Sequence, residues 1–295
     1  LGRWHGVDKL AKKYYAISPY AYVANMPIRA IDPDGNIIIF INGLWGPVSG
    51  ASNGGQKKYW GTGGWWAQRV QAKIGDYKDY YYDGSSGGTT QLAYDSYIDG
   101  NNSAFYRTRI AKGYSKGKAE AAKIIANLER DKNGKIIESV KFVTNSMGAA
   151  YQRGFSKALQ EYVDTENFKI IGKNITRIQY GLPTEKLIEG FEIELVIDVA
   201  AFQGSKIGRD PNATDHTFMR STKDPIAGYR DAKVRGAREL NVGPNGVPAG
   251  DEKNEKWSFS KNRHHASWFP TKVIPRSNKN GTKNKPNTNA DYEDN

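Results

Sequence analysis

Val140-Lys141-Phe142-Val143-Thr144-Asn145-Ser146-Met147-Gly148-Ala149-Ala150 is the stretch on which the fold turns. Residues 139–144 carry the β-branched and apolar side chains of a strand. A turn follows at Ser146, and residues 149–163 read as a helix with Tyr151, Phe155, Leu159 and Tyr162 on one face. A strand that passes at once into an amphipathic helix is the repeating unit of a layered α/β protein. The same alternation extends outward. Upstream, residues 37–41 read IIIFI, the continuous apolar run of a strand buried on both faces. A Gly-rich stretch reaches Gly64, residues 65–74 read as a helix, and residues 80–82 as a short strand. Residues 116–128 form a helix with Ala121, Ile124, Ile125 and Leu128 in one stripe, closed by a turn at Asn133-Gly134. Downstream, residues 191–201 read as another apolar strand, and a short strand from Thr217 runs into a turn at Asp224. The expectation is one domain with a mostly parallel central sheet and helices on both faces.

Composition narrows the function classes. The chain has 295 residues, 38% hydrophobic and 12% aromatic, which suffices for a core. It has no cysteine, so thiolate metal sites, disulfides and cysteine nucleophiles are excluded. No apolar run is long enough to span a bilayer, and no signal peptide is visible. The net charge is +12, of which residues 1–36 carry +2 and residues 275–295 carry +1, leaving +9 on the body. Such a body favours an anionic partner, whether nucleic acid, lipid headgroups or an acidic protein.

The chemistry centres on Ser146. A serine on a sharp strand-to-helix turn projects its oxygen clear of the sheet, which is the logic of the G-x-S-x-G elbow. Here Gly148 and the small pair Ala149-Ala150 are present, but Thr144 stands where the first Gly is usual. The next helix offers the backbone N–H of Met147 to a developing oxyanion. A serine at that position also caps helices, which is the alternative role. A nucleophilic serine needs a base, and the chain has four His. The order of the α/β-hydrolases, which the strand, Ser146 turn and helix resemble, puts the base after the acid and near the C-terminus; it implies His265, with His264 in reserve. For the acid, Asp224 in Asp224-Pro225-Ile226-Ala227 is first, Asp198 is the competitor, and Asp215 is weaker. The turn Asn42-Gly43-Leu44-Trp45 that ends the first strand resembles the hydrolase strand ending in His-Gly, with Asn42 in place of His, which implies the Leu44 N–H as the second oxyanion donor.

These four features in this order resemble the α/β-hydrolase superfamily over residues 37–275. The resemblance implies a serine esterase, lipase or phospholipase with a Ser146–His265–Asp224 triad and no cofactor or metal. Residues 44–66, rich in Gly and Trp, are expected to form an apolar flap over the site. The first 36 residues carry a second likeness. Gly2, Arg3, Trp4, Asp8, Leu10, Ala11, Lys13, Tyr14, Ser18, Pro19, Tyr20, Tyr22, Asn25, Pro27 and the string Asp32-Pro33-Asp34-Gly35 resemble the end of an Rhs-repeat core, with Lys9 and Met26 as departures. That likeness implies a carrier remnant over 1–36 and a C-terminal toxin domain over 37–275, injected or secreted into a target cell by a bacterial secretion system. It implies as partners the Rhs shell, the secretion machinery and a neutralising immunity protein, which the +9 body makes acidic. Anionic membrane lipid is the expected substrate, and no nucleic acid partner is expected. Residues 276–295, rich in Asn, Lys and Gly, are expected to be disordered.

Two other functions compete. A nuclease toxin is motivated by the pI of about 9.5 and by Arg263-His264-His265, but no further His follows His265. A binding module on a hydrolase scaffold is motivated by Thr144. The chain has neither an H-E-x-x-H nor a phosphate-loop motif, and Asp131-Lys132-Asn133-Gly134 lacks the spacing of a calcium loop.

Overall fold

A computed structural model of the chain describes residues 37–46, 55–60, 65–88, 105–220, 232–240 and 274–275. The chain divides between Asp34 and Gly35, and all described residues fall in the second unit. The expectations for residues 1–36 and 276–295, and for Asp224, His264 and His265, lie outside the described residues.

Among the described residues the strands are β1 Ile37–Asn42, β2 Lys78–Asp83, β3 Val140–Asn145, β4 Ile193–Val199, β5 Ala213–Met219 and β6 Arg238–Glu239. They form one sheet in the order β2-β1-β3-β4-β5-β6. Every pairing in it is parallel. The protein is therefore an α/β fold with a parallel six-stranded sheet. β1, β3 and β4 are buried along their whole lengths. This is the burial that their apolar runs require when both faces of a sheet are covered.

The covers are helices. On one face Ile38, Phe40, Val143 and Ile197 meet Trp66, Val70 and Ile74 of α1 (Trp65–Ile74). Trp60, at the end of the 3-10 turn Gln56–Trp60, stacks on Trp66 with centroids 5.5 Å apart. On the other face Ile39, Ile41 and Phe142 meet Ile124 and Ile125 of α2 (Phe105–Ala126). Phe155 and Leu159 of α3 (Gly148–Gln179) complete that layer. A single turn, α4 (Gly204–Ile207), joins β4 to β5.

Three sequence boundaries move. α2 begins at Phe105 rather than Lys116, and α3 ends at Gln179 rather than Val163. Gly113 and Gly117 interrupt the apolar stripe of α2 because the helix backbones touch there. A Cβ on Gly113 would lie 1.9 Å from the Tyr151 carbonyl oxygen. Past Val163, α3 leaves the core, so the core-facing stripe stops while the helix does not. β5 begins at Ala213 rather than Thr217, which brings His216 inside the strand.

The chain leaves β1 towards β2 and leaves β3 towards β4, yet β1 and β3 are neighbours. Their carboxyl ends thus flank the point where the sheet's winding reverses, which is where open α/β sheets form a crevice.

Candidate active site

Ser146 sits at that crevice, directly after β3. Its φ is +54°, a left-handed conformation that few side chains other than glycine adopt without strain. The strain is held by hydrogen bonds on both sides. The Ser146 N–H donates to the Val199 carbonyl at 3.0 Å, and its carbonyl accepts from Phe202 N–H at 3.1 Å. Ala200 and Gln203, in the adjoining turn after β4, also have positive φ, at 47° and 58°. Strained backbone is thus concentrated at one end of the sheet, a hallmark of functional sites. The first helical cap residue of α3 is Met147, and it makes no side-chain cap bond. Ser146 is therefore the turn residue before the helix and not its cap. The positive end of α3 faces this turn.

Small residues let the elements meet. A Cβ on Gly43 would lie 2.5 Å from Ser146 Cβ, and one on Gly148 would lie 2.4 Å from the Ile41 carbonyl. The turn after β1, with Leu44, is therefore pressed against the Ser146 turn. Among the described residues, neither the Leu44 nor the Met147 N–H donates to a backbone carbonyl. Gly84, after β2, allows the same closeness, with a Cβ that would fall 2.7 Å from Gly148 Cα. Its role has no sequence signal.

The Leu44 turn is anchored from β2. In register, Asn42 pairs with Asp83. The Asn42 amide donates to Asp83 at 2.8 Å and to the Gly43 carbonyl at 2.7 Å, and its oxygen accepts from Gln56 N–H at 2.7 Å. Asp83 also accepts from the Trp45 indole at 2.9 Å and from the Ser85 hydroxyl at 2.6 Å. On the other flank the Tyr59 hydroxyl donates to Asn145, whose amide donates to the Val199 carbonyl at 2.9 Å. Tyr59 and Trp60 are core residues, 3% and 0% exposed. Of the flap expected over 44–66, these two are fixed and the stretches 47–54 and 61–64 lie outside the described residues.

Beneath the elbow lies a buried polar network. Thr144, the departure from the Gly-containing motif, donates from Oγ1 to Asp198 at 2.6 Å. Arg153, one turn into α3, donates to Asp198 and to the Gly208 carbonyl. His216 Nε2 lies 2.8 Å from Asp198, and His216 Nδ1 accepts from Asp210 N–H at 2.9 Å. The accepting Nδ1 assigns the proton to Nε2, which donates to Asp198. Both ring nitrogens are used, so His216 has no nitrogen left to serve Ser146. Burial raises the Asp198 pKa, but Arg153 and then His216 outweigh it and hold the carboxyl well below its ordinary range. Burial, then Arg153, pushes the His216 pKa down against the pull of Asp198. The network is a charged tie between β3, α3, β4 and β5.

The structure thus brings Ser146, Met147 and Leu44 together and places Asp198 one strand over, fully engaged. No group of three His, Asp or Glu among the described residues has metal-binding geometry. No family model, curated protein or solved structure matches the chain.

Proposed function

We propose that the chain is a serine hydrolase of the α/β-hydrolase kind that cleaves ester bonds of membrane lipid. The left-handed Ser146, wedged between Gly43 and Gly148 at the winding reversal of the sheet, carries the reading. The positions of the remaining residues support it. β5 is the penultimate strand among the described residues, and Asp224 follows its last residue, Met219. β6 is the last, and His264 and His265 follow it. Asp224 is preferred over Asp198 because Asp198 is already bound by Thr144, Arg153 and His216.

In this mechanism the Ser146 hydroxyl attacks the ester carbonyl while His265 accepts its proton. Asp224 orients the imidazole and stabilises its charged form. The N–H groups of Met147 and Leu44 hold the oxyanion. His265 then protonates the departing alcohol, and water releases the acid from Ser146 by the reverse route. Lipid is favoured because the net charge is +12 and Ser146 is only 3% exposed. Among the described residues no helix is long and apolar enough to cross a membrane, so the contact proposed is with the bilayer surface.

The resemblance of residues 1–36 to the end of an Rhs core supports a biological setting for this chemistry. We assign residues 37–275 as the C-terminal toxin of an Rhs-type effector, delivered by a secretion system and neutralised by an acidic immunity protein in the producing cell. That protein would cover the Ser146 crevice. Its association should slow as salt rises from about 50 to 500 mM, because exposed charges are screened over that range.

Labelling with a fluorophosphonate, alongside hydrolysis of a short nitrophenyl ester, tests the chemistry. Ser146→Ala should abolish both while leaving the circular dichroism unchanged. His265→Ala should lower turnover by about 10³ or more, and His264→Ala should not. Ester hydrolysis that survives Ser146→Ala overturns the proposal.

A further inference from the structure

The far half of α3 carries an apolar stripe that no described residue covers. Phe168, Ile171, Ile175 and Ile178 are 78%, 47%, 58% and 66% exposed. Their spacing of three, four and three residues is that of a coiled-coil seam. At 3.6 residues per turn they span about 80° of the helix, narrower than the stripe that seats a helix on a broad apolar surface. Together they expose on the order of 450 Å² of apolar surface, as large as the largest patches of typical monomers.

The chain covers the adjoining face itself. Residues after the helix run back along it, where the Asn174 amide donates to the Glu185 carbonyl at 2.8 Å and its oxygen accepts Glu185 N–H at 2.7 Å. Asn167 holds Ile188 in the same two-way manner, at 3.0 and 2.7 Å. That strap occupies the neighbouring side of α3 and leaves the stripe open.

Charge selects the occupant. The whole molecule carries +12, which would drive two copies apart. Around the stripe most of this charge is offset. Lys169 pairs with Glu166 at 2.8 Å, and Lys173 and Arg177 each lie 3.6 Å from Glu185. The positions that flank the seam are uncharged: Thr165, Gly172 and Gln179 on one side, Asn167 and Asn174 on the other. Nothing lies within 4 Å of a Cβ on Gly172, so a second backbone can approach there. Lys173 and Arg177 share the single Glu185, so three cations meet two carboxylates and one positive charge is left, where a surface that docks on an anionic bilayer presents a cluster of several. A narrow, nearly neutral, self-complementary seam fits a helix of the same kind.

We infer that this stripe is a homodimer interface, in which two copies of the chain pack their α3 seams across a two-fold axis. With its polar rim the contact is at the small end of specific interfaces, so the dimer is reversible.

Sedimentation velocity on the full chain, from about 1 to 100 µM, tests this. A shift from monomer to dimer across that range is expected. Ile171→Glu with Ile175→Glu should weaken dimerisation at least about tenfold, since two like charges would then face two others. Phe168→Ser with Ile178→Ser should act in the same direction, and both pairs are exposed, so unfolding midpoints of dilute protein should stay put. A monomer at about 100 µM overturns the inference, as does a dimer indifferent to both pairs of substitutions. Vesicles of phosphatidylglycerol are the third arm. Stripe-dependent flotation by a chain that never dimerises would assign the face to a bilayer instead.

Discussion

Ser146 has a conformation that its own side chain opposes. A left-handed non-glycine residue costs about 1–3 kcal/mol, which the bonds to Val199 and Phe202 hold in place. Glycine removes that strain at a smaller entropic cost. Ser146→Gly should therefore be more stable than Ser146→Ala by about 1 kcal/mol in urea unfolding, with both inactive. Equal stabilities would mean that the strain is not there. The buried His216 sets a second expectation at this scale. Its folded pKa is lowered, so as pH falls the unfolded chain takes up the proton first. Its contribution is whole above the unfolded pKa of about 6.5 and is lost as pH falls below it. The lowered Asp198 pKa acts in the same sense but only below the ordinary carboxyl value of about 3.9. Unfolding free energy should thus decline from pH 7 to 5, and His216→Gln should flatten that decline. Parallel slopes for the two proteins would sink this account. Asp198→Asn leaves Arg153 buried without its counter-charge and should cost about 3–5 kcal/mol at neutral pH.

At the scale of elements, α2 and α3 touch through glycines. A Cβ on Gly154 would lie 1.9 Å from the Ile110 carbonyl oxygen, so alanine there forces the helices apart. Gly172, on the same helix, meets nothing within 4 Å. Gly172→Ala should stabilise dilute protein by about 1 kcal/mol through helix propensity. Gly154→Ala should destabilise it by about 2 kcal/mol or more despite the same propensity gain. Changes of the same sign, read by urea unfolding, would show that the crossing is looser than described. Gly113 and Gly117, on the α2 side of this crossing, explain why the start of α2 was hidden. The residue type that marks a helix break in sequence is the one that a close helix crossing demands.

The whole molecule adds its charge. A +12 chain that acts at a lipid surface should prefer anionic headgroups. Hydrolysis of phosphatidylglycerol vesicles should exceed that of phosphatidylcholine vesicles by about tenfold at 50 mM salt, and the gap should close by about 500 mM. Equal rates at low salt would remove charge from the account of substrate choice.

The α/β class was legible in the chain because burial along an element is a local property. The runs at residues 37–41 and 191–201 and the passage from strand to helix around Ser146 all record it, and β1, β3 and β4 follow them. So does the crowding that Gly148 signals, since small residues are needed wherever a strand and its own helix nearly meet. The rest depended on which strands became neighbours. Asn42 finds Asp83 across 41 residues, and Thr144 finds Asp198 across 54. Parallel strands place such residues side by side only after long crossovers, so no local pattern announces the pairs. Thr144 thus looked like a flaw in a motif, and His216 stood just ahead of the strand expected from Thr217. Only the assembled sheet makes the first a strut under the Ser146 turn and the second a buried, neutral partner of Asp198.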